Sequence, residues 1–284
     1  MTGFQADLHC HSTCSDGTLS PRDLLLLAKS TGLSGISITD HDSIEAYETA
    51  IPIAKEIGLE IFSGAEFSTT LNGVSVHILA YGFSLQHPLI HALCQTHNLR
   101  RLNRNRTILD NLAKHQLPIT EEELMECSTF EGAQSKATIG RPHIAMAMIK
   151  KGYVKNIREA FDKYIGEERC CYAPGEPITT EDTLETLHKA NSIVVIAHPH
   201  LILNSSIVQQ LLKMDFDGIE GYYSRFNNDQ NKRWLKAAKK KNWLVTGGSD
   251  FHGDTKPNIA LGCSWVSEET FRVIQQRFIE NGEM

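Results

Sequence analysis

No uninterrupted apolar run in the 284 residues approaches the roughly 20 that a bilayer-spanning helix needs, which excludes a helical membrane protein. The N-terminus lacks a basic segment followed by an apolar stretch, so no secretory leader is expected and the cytoplasm is the expected location. The seven cysteines contain no Cys-x-x-Cys pair, and their odd number and scatter are unlike a disulfide framework. Cys14, Cys94, Cys127, Cys170, Cys171 and Cys263 read as small buried or semi-buried residues. An excess of positive charge is also missing: 28 Lys and Arg against 34 Asp and Glu give −6, which argues against a chain that coats duplex nucleic acid, though not against a local phosphate site. Repeats and low-complexity segments are absent. What remains, 41% hydrophobic and 22% charged residues, is the composition of a soluble globular protein of one large domain or two.

Short apolar runs alternate with helical patterns. Strands are expected at 6–11, 35–39, 60–62, 74–81, 193–197, 218–220 and 244–247, seven in all, with an Asn72-Gly73 hairpin signal before the fourth. Helices are expected at Pro21 to Thr31, opened by Ser20 and a first-turn proline, at about Ser43 to Ile57 with Gly58 as the stop, at Ser206 to Lys213 and at Asp229 to Lys241. Alternation predicts a parallel sheet covered by helices, and polar residues at strand ends favour a closed or nearly closed barrel over an open sheet. Between about residues 85 and 186 the rhythm breaks into helical patterns without a buried strand, which reads as a helical insertion over the mouth of the barrel.

Histidines and carboxylates recur in pairs at the ends of these runs: His9/His11, Asp40/His41 and Asp250/His252, with Asp16, Glu66, His77 and His198 at similar boundaries. A His-x-His strand puts both imidazoles on one face, about 7 Å apart, within reach of one cation, while Cys10 between them points away. Nitrogen and oxygen donors in such number suit manganese, zinc, iron and, less well, magnesium, and a metal-dependent hydrolase is the expected class. Asp7 shares the parity of His9 and His11 and is expected to fix a ligand imidazole; Asp40 is a candidate for the same task.

The segments D-L-H-C-H-S-x-x-S-D-G-T, I-T-D-H-D, G-A-E-F-S, V-H-I-L-A-Y, I-A-H-P-H and G-G-S-D-F-H-G resemble the motifs of the polymerase and histidinol phosphatase (PHP) superfamily. The resemblance runs to about Gly253, and I-G-R-P-H-I-A in the insertion is similar to the stand-alone subfamily of 3′,5′-nucleoside bisphosphate phosphatases and 5′-to-3′ exoribonucleases. It implies a distorted (β/α)7 TIM-like barrel (PHP fold), a single domain over residues 1–284 with the insertion at about 85–186 as substrate cap. It implies three divalent cations, manganese first: one held by His9, His11, Glu66 and Asp250, one by Asp16, His41 and His252, and one by Glu66, His77 and His198. Asp16, His41 and His252 are the expected catalytic set, holding the cation that polarises the ester.

Within the insertion His97, Arg101 and Arg104 share one side of a helix, flanked by Arg100 and Arg106. Guanidinium forks suit phosphate oxygens, so Arg101 and Arg104 are expected to contact substrate phosphate, and the resemblance implies that Lys136, Arg141 and His143 clamp the phosphate that is not cleaved. The expected substrates are a 3′,5′-nucleoside bisphosphate, losing its 3′-phosphate, or short single-stranded RNA degraded from a phosphorylated 5′ end. No duplex and no membrane partner is expected. The alternatives are a histidinol-phosphate phosphatase and, from another class, a non-catalytic metal-binding module.

Overall fold

The computed structural model describes residues 3–127, 138–224 and 228–282. In chain order it contains β1 (Ala6–Cys10), α1 (Pro21–Ser30), β2 (Gly35–Ile38), α2 (Ala46–Ile57), β3 (Glu60–Ile61), β4 (Gly64–Leu71), β5 (Val74–Tyr81), α3 (Pro88–Lys114), α4 (Glu121–Glu126), α5 (Arg141–Lys150), α6 (Ile157–Ala160), α7 (Thr180–Lys189), β6 (Ile193–Ile196), α8 (Ser205–Leu211), β7 (Gly218–Tyr223), α9 (Asn228–Lys241), β8 (Leu244–Gly248) and α10 (Glu268–Glu280). Local chemistry accounts for the helix ends. Ser20 Oγ accepts from Asp23 N ahead of Pro21, and α2 stops where Gly58 turns left-handed at φ 63°. Among the described residues no helix is long and apolar enough to cross a membrane.

The strands form two hydrogen-bonded sheets, β1-β2-β3 and β4-β5-β6-β7-β8. Parallel pairing holds within the first sheet and for β6-β7-β8, but β5 runs antiparallel to both β4 and β6. The Asn72-Gly73 turn is the cause: a two-residue connection returns the chain beside the strand it has just left, so Gly64–Leu71 becomes an eighth strand paired from Gly64↔Tyr81 to Leu71↔Val74. The uniformly parallel expectation is corrected there. The sheets meet through isolated parallel bridges, Cys10↔Phe251 and His41↔Glu66. His11 N donates to Phe251 O at 2.9 Å, Asp250 N to His9 O at 2.7 Å and Asp42 N to Glu66 O at 2.9 Å.

Apolar packing explains the arrangement. Leu8, Phe62, Leu79, Tyr81 and Val195 cluster with Phe271, Ile274 and Phe278 of α10, which lies against the strand starts; a Cβ on Gly35 would sit 2.4 Å from the Phe271 ring. α10 carries Arg272, which pairs with Glu60 of β3. A separate cluster that includes Ile108, Leu112, Ile144, Met148 and Ile165 holds the later part of α3 to α5 and the 161–165 turn together, while α7 packs through Leu184 and Leu187 on the main core.

Candidate metal centre and substrate cavity

Strand parity sets the first pair of side chains. His9 and His11 share a face with ring centroids 5.3 Å apart, while Cys10 turns back and its thiol donates to Ser37 O. Glu66 lies at their centre, 1% exposed. Its Oε1 is 2.8 Å from His77 Nδ1 and 2.7 Å from His198 Nε2; its Oε2 is 3.3, 3.2 and 3.1 Å from His9 Nε2, His11 Nε2 and His41 Nδ1. His77 reaches this group from the early part of its strand only because β5 is reversed and pairs His77 with Ser68.

Asp16 and Asp250 complete the cluster. Asp16 Oδ1 lies 3.3 Å from His252 Nε2, and its Oδ2 lies 3.8 Å from His41 Nε2. Asp250 Oδ1 lies 3.6 Å from His9 Nε2 and 3.4 Å from His11 Nε2, so the two ends of the chain meet. Donor atoms gather within 4.8 Å in four overlapping sets: His11/Asp16/His41/His252, His9/His11/Asp250, His9/Glu66/His198 and His41/Glu66/His77. Asp42, His198 and Asp250, at or beside the cluster, have left-handed φ of 57°, 23° and 56°.

Divalent cations fit this donor set. His9 Nε2, both ring nitrogens of His11, His41 Nδ1 and Glu66 Oε2 are buried without a hydrogen-bond partner, a costly condition that N- and O-loving cations relieve. Burial alone would raise the Glu66 carboxyl, but His41, His77 and His9 outweigh it and hold it well below the carboxylate range. Asp16 and Asp250 are likewise held ionised by neighbouring imidazoles, with Lys256 the largest influence on Asp250 after burial. The imidazoles divide: burial depresses His41 to about 3, whereas Asp250 and Glu66 overcome burial and lift His11 to about 9.

Orientation comes from residues that sequence reasoning did not single out. Glu220 on β7 accepts from His9 Nδ1 at 2.8 Å and from His198 N at 2.7 Å. Tyr223 and Lys256 both donate to Asp250 Oδ2, at 2.6 and 2.7 Å. An acidic residue ending an apolar strand was the available signal for Glu220; nothing local marked Tyr223 or Lys256. Asp7, expected to hold an imidazole, instead accepts backbone N–H groups from His9, Ser249 and Gly262, tying β1 to β8 and the 262 turn. Asp40 accepts from Ser12 N, Ser12 Oγ and Ser15 Oγ and fixes the loop that presents Asp16.

Asp16, His41 and His77 of the cluster line a cavity of about 560 Å³ that is also lined by Arg100, Arg101, Arg104 and Arg141. Arg101, 7% exposed, pairs with Asp42 and donates to Ser68 Oγ at 2.9 Å. Asp42 also accepts from Ser68 N at 2.8 Å and faces His97 Nδ1 at 3.1 Å, so His97 supports Asp42 from inside the core. Arg100 donates to the carbonyls of Pro174 and Glu176. Arg104 Nε is buried without a partner, and burial together with Arg101, Arg141 and Arg100 holds its guanidinium well below its usual value. Arg141 lies against the rings of Phe161 and Tyr172, at 5.6 and 5.4 Å. His143 is not among the cavity-lining groups: 2% exposed, its Nδ1 accepts from Gly140 N at the start of α5. Lys136 lies outside the described residues.

Residues 7–248 match the PHP domain family. The chain belongs to that family. It is 32% identical over 268 residues to a 5′-3′ exoribonuclease of Haemophilus influenzae, covering 92% of this chain and 91% of the relative. It is 27% identical over 256 residues to a 3′,5′-nucleoside bisphosphate phosphatase of Chromobacterium violaceum, covering 87% and 86%. Among solved structures, a Bifidobacterium adolescentis protein assigned as a metal-dependent phosphoesterase superposes with a TM-score of 0.86 at 31% identity, over 96% of each chain. PHP membership fits the α/β fold of mixed sheets and the position of the His/carboxylate cluster where the two sheets meet.

Proposed function

We propose that this PHP protein is a metal-dependent phosphoesterase that removes the 3′-phosphate of 3′,5′-nucleoside bisphosphates and degrades short RNA from a phosphorylated 5′ end. The observation that carries the reading is one cavity lined both by Asp16, His41 and His77 of the His/carboxylate cluster and by four arginines. Arg104 and Arg141 are the arginines least engaged by protein acceptors, and a crowded cationic group of this kind is relieved by an anion. A substrate with a single phosphate leaves those arginines unmatched, which weighs against histidinol phosphate. A bisphosphate nucleotide and a 5′-phosphorylated RNA end both present a second phosphate one sugar away from the first.

We read the two sheets as a distorted barrel of the PHP type and the helices of about 85–186 as its cap. His9, His11, Glu66 and Asp250 would hold one divalent cation, Asp16, His41 and His252 a second, and Glu66, His77 and His198 a third, with manganese the expected ion. Such cations acidify water and neutralise charge on phosphoryl oxygens. Around them, Glu220 keeps His9 in the orientation that turns Nε2 inward, while Tyr223 and Lys256 hold the outer oxygen of Asp250. Asp42 aims Arg101 across the cavity, and Arg104 and Arg141 clamp the phosphate that is retained. A phosphate-release assay of manganese-loaded protein tests this with 3′,5′-bisphosphonucleosides, histidinol phosphate and oligoribonucleotides bearing 5′-phosphate or 5′-hydroxyl. Preference for histidinol phosphate, or indifference to the 5′-phosphate, overturns the reading.

A further inference from the structure

Outside the cavity, three more donor atoms meet where α3 ends. His115 caps that helix, and the adjacent Cys170 and Cys171 come up against it, all three within 4.8 Å of one another. Cys170 Sγ is 3.7 Å from Cys171 Sγ, and Cys171 Sγ is 3.6 Å from His115 Nδ1. A tetrahedral zinc ion, with bonds of about 2.3 Å to sulfur and ~2.05 Å to nitrogen, sets two sulfurs about 3.8 Å apart and a sulfur and nitrogen about 3.6 Å apart. Packed thiols reach such a separation by contact alone. The imidazole at the matching distance makes a mixed soft donor set, unlike the His/carboxylate centre. Carbonyls surround it: Asn111 O lies 2.9 Å from His115 Nδ1 and Lys163 O 3.8 Å from Cys170 Sγ, and the C-terminal pole of a 27-residue helix favours positive charge. Cys171 is buried while Cys170 is exposed, so a cation has a way in and water can complete its shell.

We propose that His115, Cys170 and Cys171 form a zinc-class site of three protein donors with an open fourth position, separate from the catalytic centre and independent of its substrate. Binding releases the two thiol protons to solvent, exchanges the His115 to Asn111 hydrogen bond for a ligand bond, and changes no oxidation state. Tyr172 and Ala173, next in the chain, line the cavity, and Tyr172 faces Arg141. An ion here therefore fastens one wall of the cavity to the end of the helix that carries Arg101 and Arg104.

Cobalt(II) titration of the reduced full-length protein reads this site alone, because thiolate-to-cobalt charge-transfer absorption cannot arise from the nitrogen and oxygen donors of the catalytic centre. The band is expected to plateau at the intensity of one thiolate-bound cobalt per chain, whatever cobalt the catalytic centre also takes up, to be displaced by zinc, and to disappear in Cys170→Ser. In His115→Ala it requires at least tenfold more cobalt, while Cys263→Ser retains it. Residues 170 and 263 are exposed, so folding is not at stake in those two variants. Zinc is further expected to shield Cys170 from alkylation, read by peptide mass. Absence of the band in protein with titratable thiols, or its survival in Cys170→Ser, overturns the proposal.

Discussion

Replacing Asp42 with asparagine separates the charge that aims Arg101 from every other property of the position. Asparagine tolerates the left-handed backbone at φ 57° and its carbonyl still accepts from Ser68 N, so neither strain nor that hydrogen bond is changed. What is lost is the carboxylate facing Arg101, which is 7% exposed and shares its surroundings with Arg100 and Arg104. Removing one member of a buried ion pair costs about 3–5 kcal/mol. Arg101 keeps Ser68 Oγ and borders the cavity, so the cost falls somewhat below that range, to about 2–3 kcal/mol. At about 2–4 °C per kcal/mol, Tm falls by roughly 5–10 °C. Arg101 then points less well across the cavity, and KM for a bisphosphonucleoside rises about tenfold, equivalent to about 1.4 kcal/mol of binding. The double variant Asp42→Asn/Arg101→Met, which leaves neither charge unpaired, is expected to recover at least half of the lost stability. Scanning calorimetry of loaded protein and initial-rate kinetics measure both quantities. A Tm within about 1 °C of wild type with unchanged KM refutes the role given to Asp42.

Asp250→Asn is expected to keep the fold, since asparagine suits φ 56°, yet to lose more than the roughly 10–100-fold in activity typical of an outer-shell change, together with bound metal measured by elemental analysis. Arg104→Ala raises KM for a 3′,5′-bisphosphate at least tenfold while changing hydrolysis of a simple monophosphate ester little; equal effects on both substrates count against an anion clamp. Gly248→Ala places a Cβ 2.4 Å from His9 N and 2.5 Å from His9 Cβ, forcing β1 from β8 at a cost of about 1–3 kcal/mol in urea unfolding. Unchanged stability there contradicts the close strand approach.

The residues gathered at the cluster were legible because chemistry and position coincide: an imidazole or carboxylate that ends an apolar run has few other uses, and His9, His11, Glu66, His198 and Asp250 all converge. Their supports were not. Parity correctly turned Asp7 inward but cannot tell an imidazole from three backbone N–H groups, because the partners Ser249 and Gly262 are some 242 and 255 residues away. The antiparallel course of β5 was implicit in Asn72-Gly73, yet only pairing shows that it turns His77 toward Glu66. Helical spacing alone also could not say which partner each member of the arginine run takes. Arg101 spends much of its fork on Asp42 and Ser68, Arg100 holds backbone carbonyls, and the helical spacing that put His97 beside them took it into the core.

Four arginines line the same cavity as Asp16, behind which Glu66 and Asp250 are gathered, and this makes substrate affinity depend on the cations as well as turnover. Glu66, Asp250 and Glu220 are at most 3% exposed, imidazoles keep Glu66 ionised, and Lys256 with neighbouring imidazoles keeps Asp250 ionised; burial instead raises Asp7 and Asp40, whose oxygens serve backbone and serine donors. In the chain alone a phosphate drawn by Arg104 and Arg141 approaches carboxylates. Each uncompensated charge about 6 Å away opposes it by about 3 kcal/mol at an effective dielectric of about 20, close to a 100-fold weakening. Bound cations reverse the sign of that field, so metal must precede substrate. Calorimetric binding of a non-hydrolysable 3′,5′-bisphosphonucleoside analogue to the metal-loaded wild-type protein, before and after chelation, measures the difference. Equal affinity in both states leaves the arginines as the whole of the recognition and removes the cation-first order.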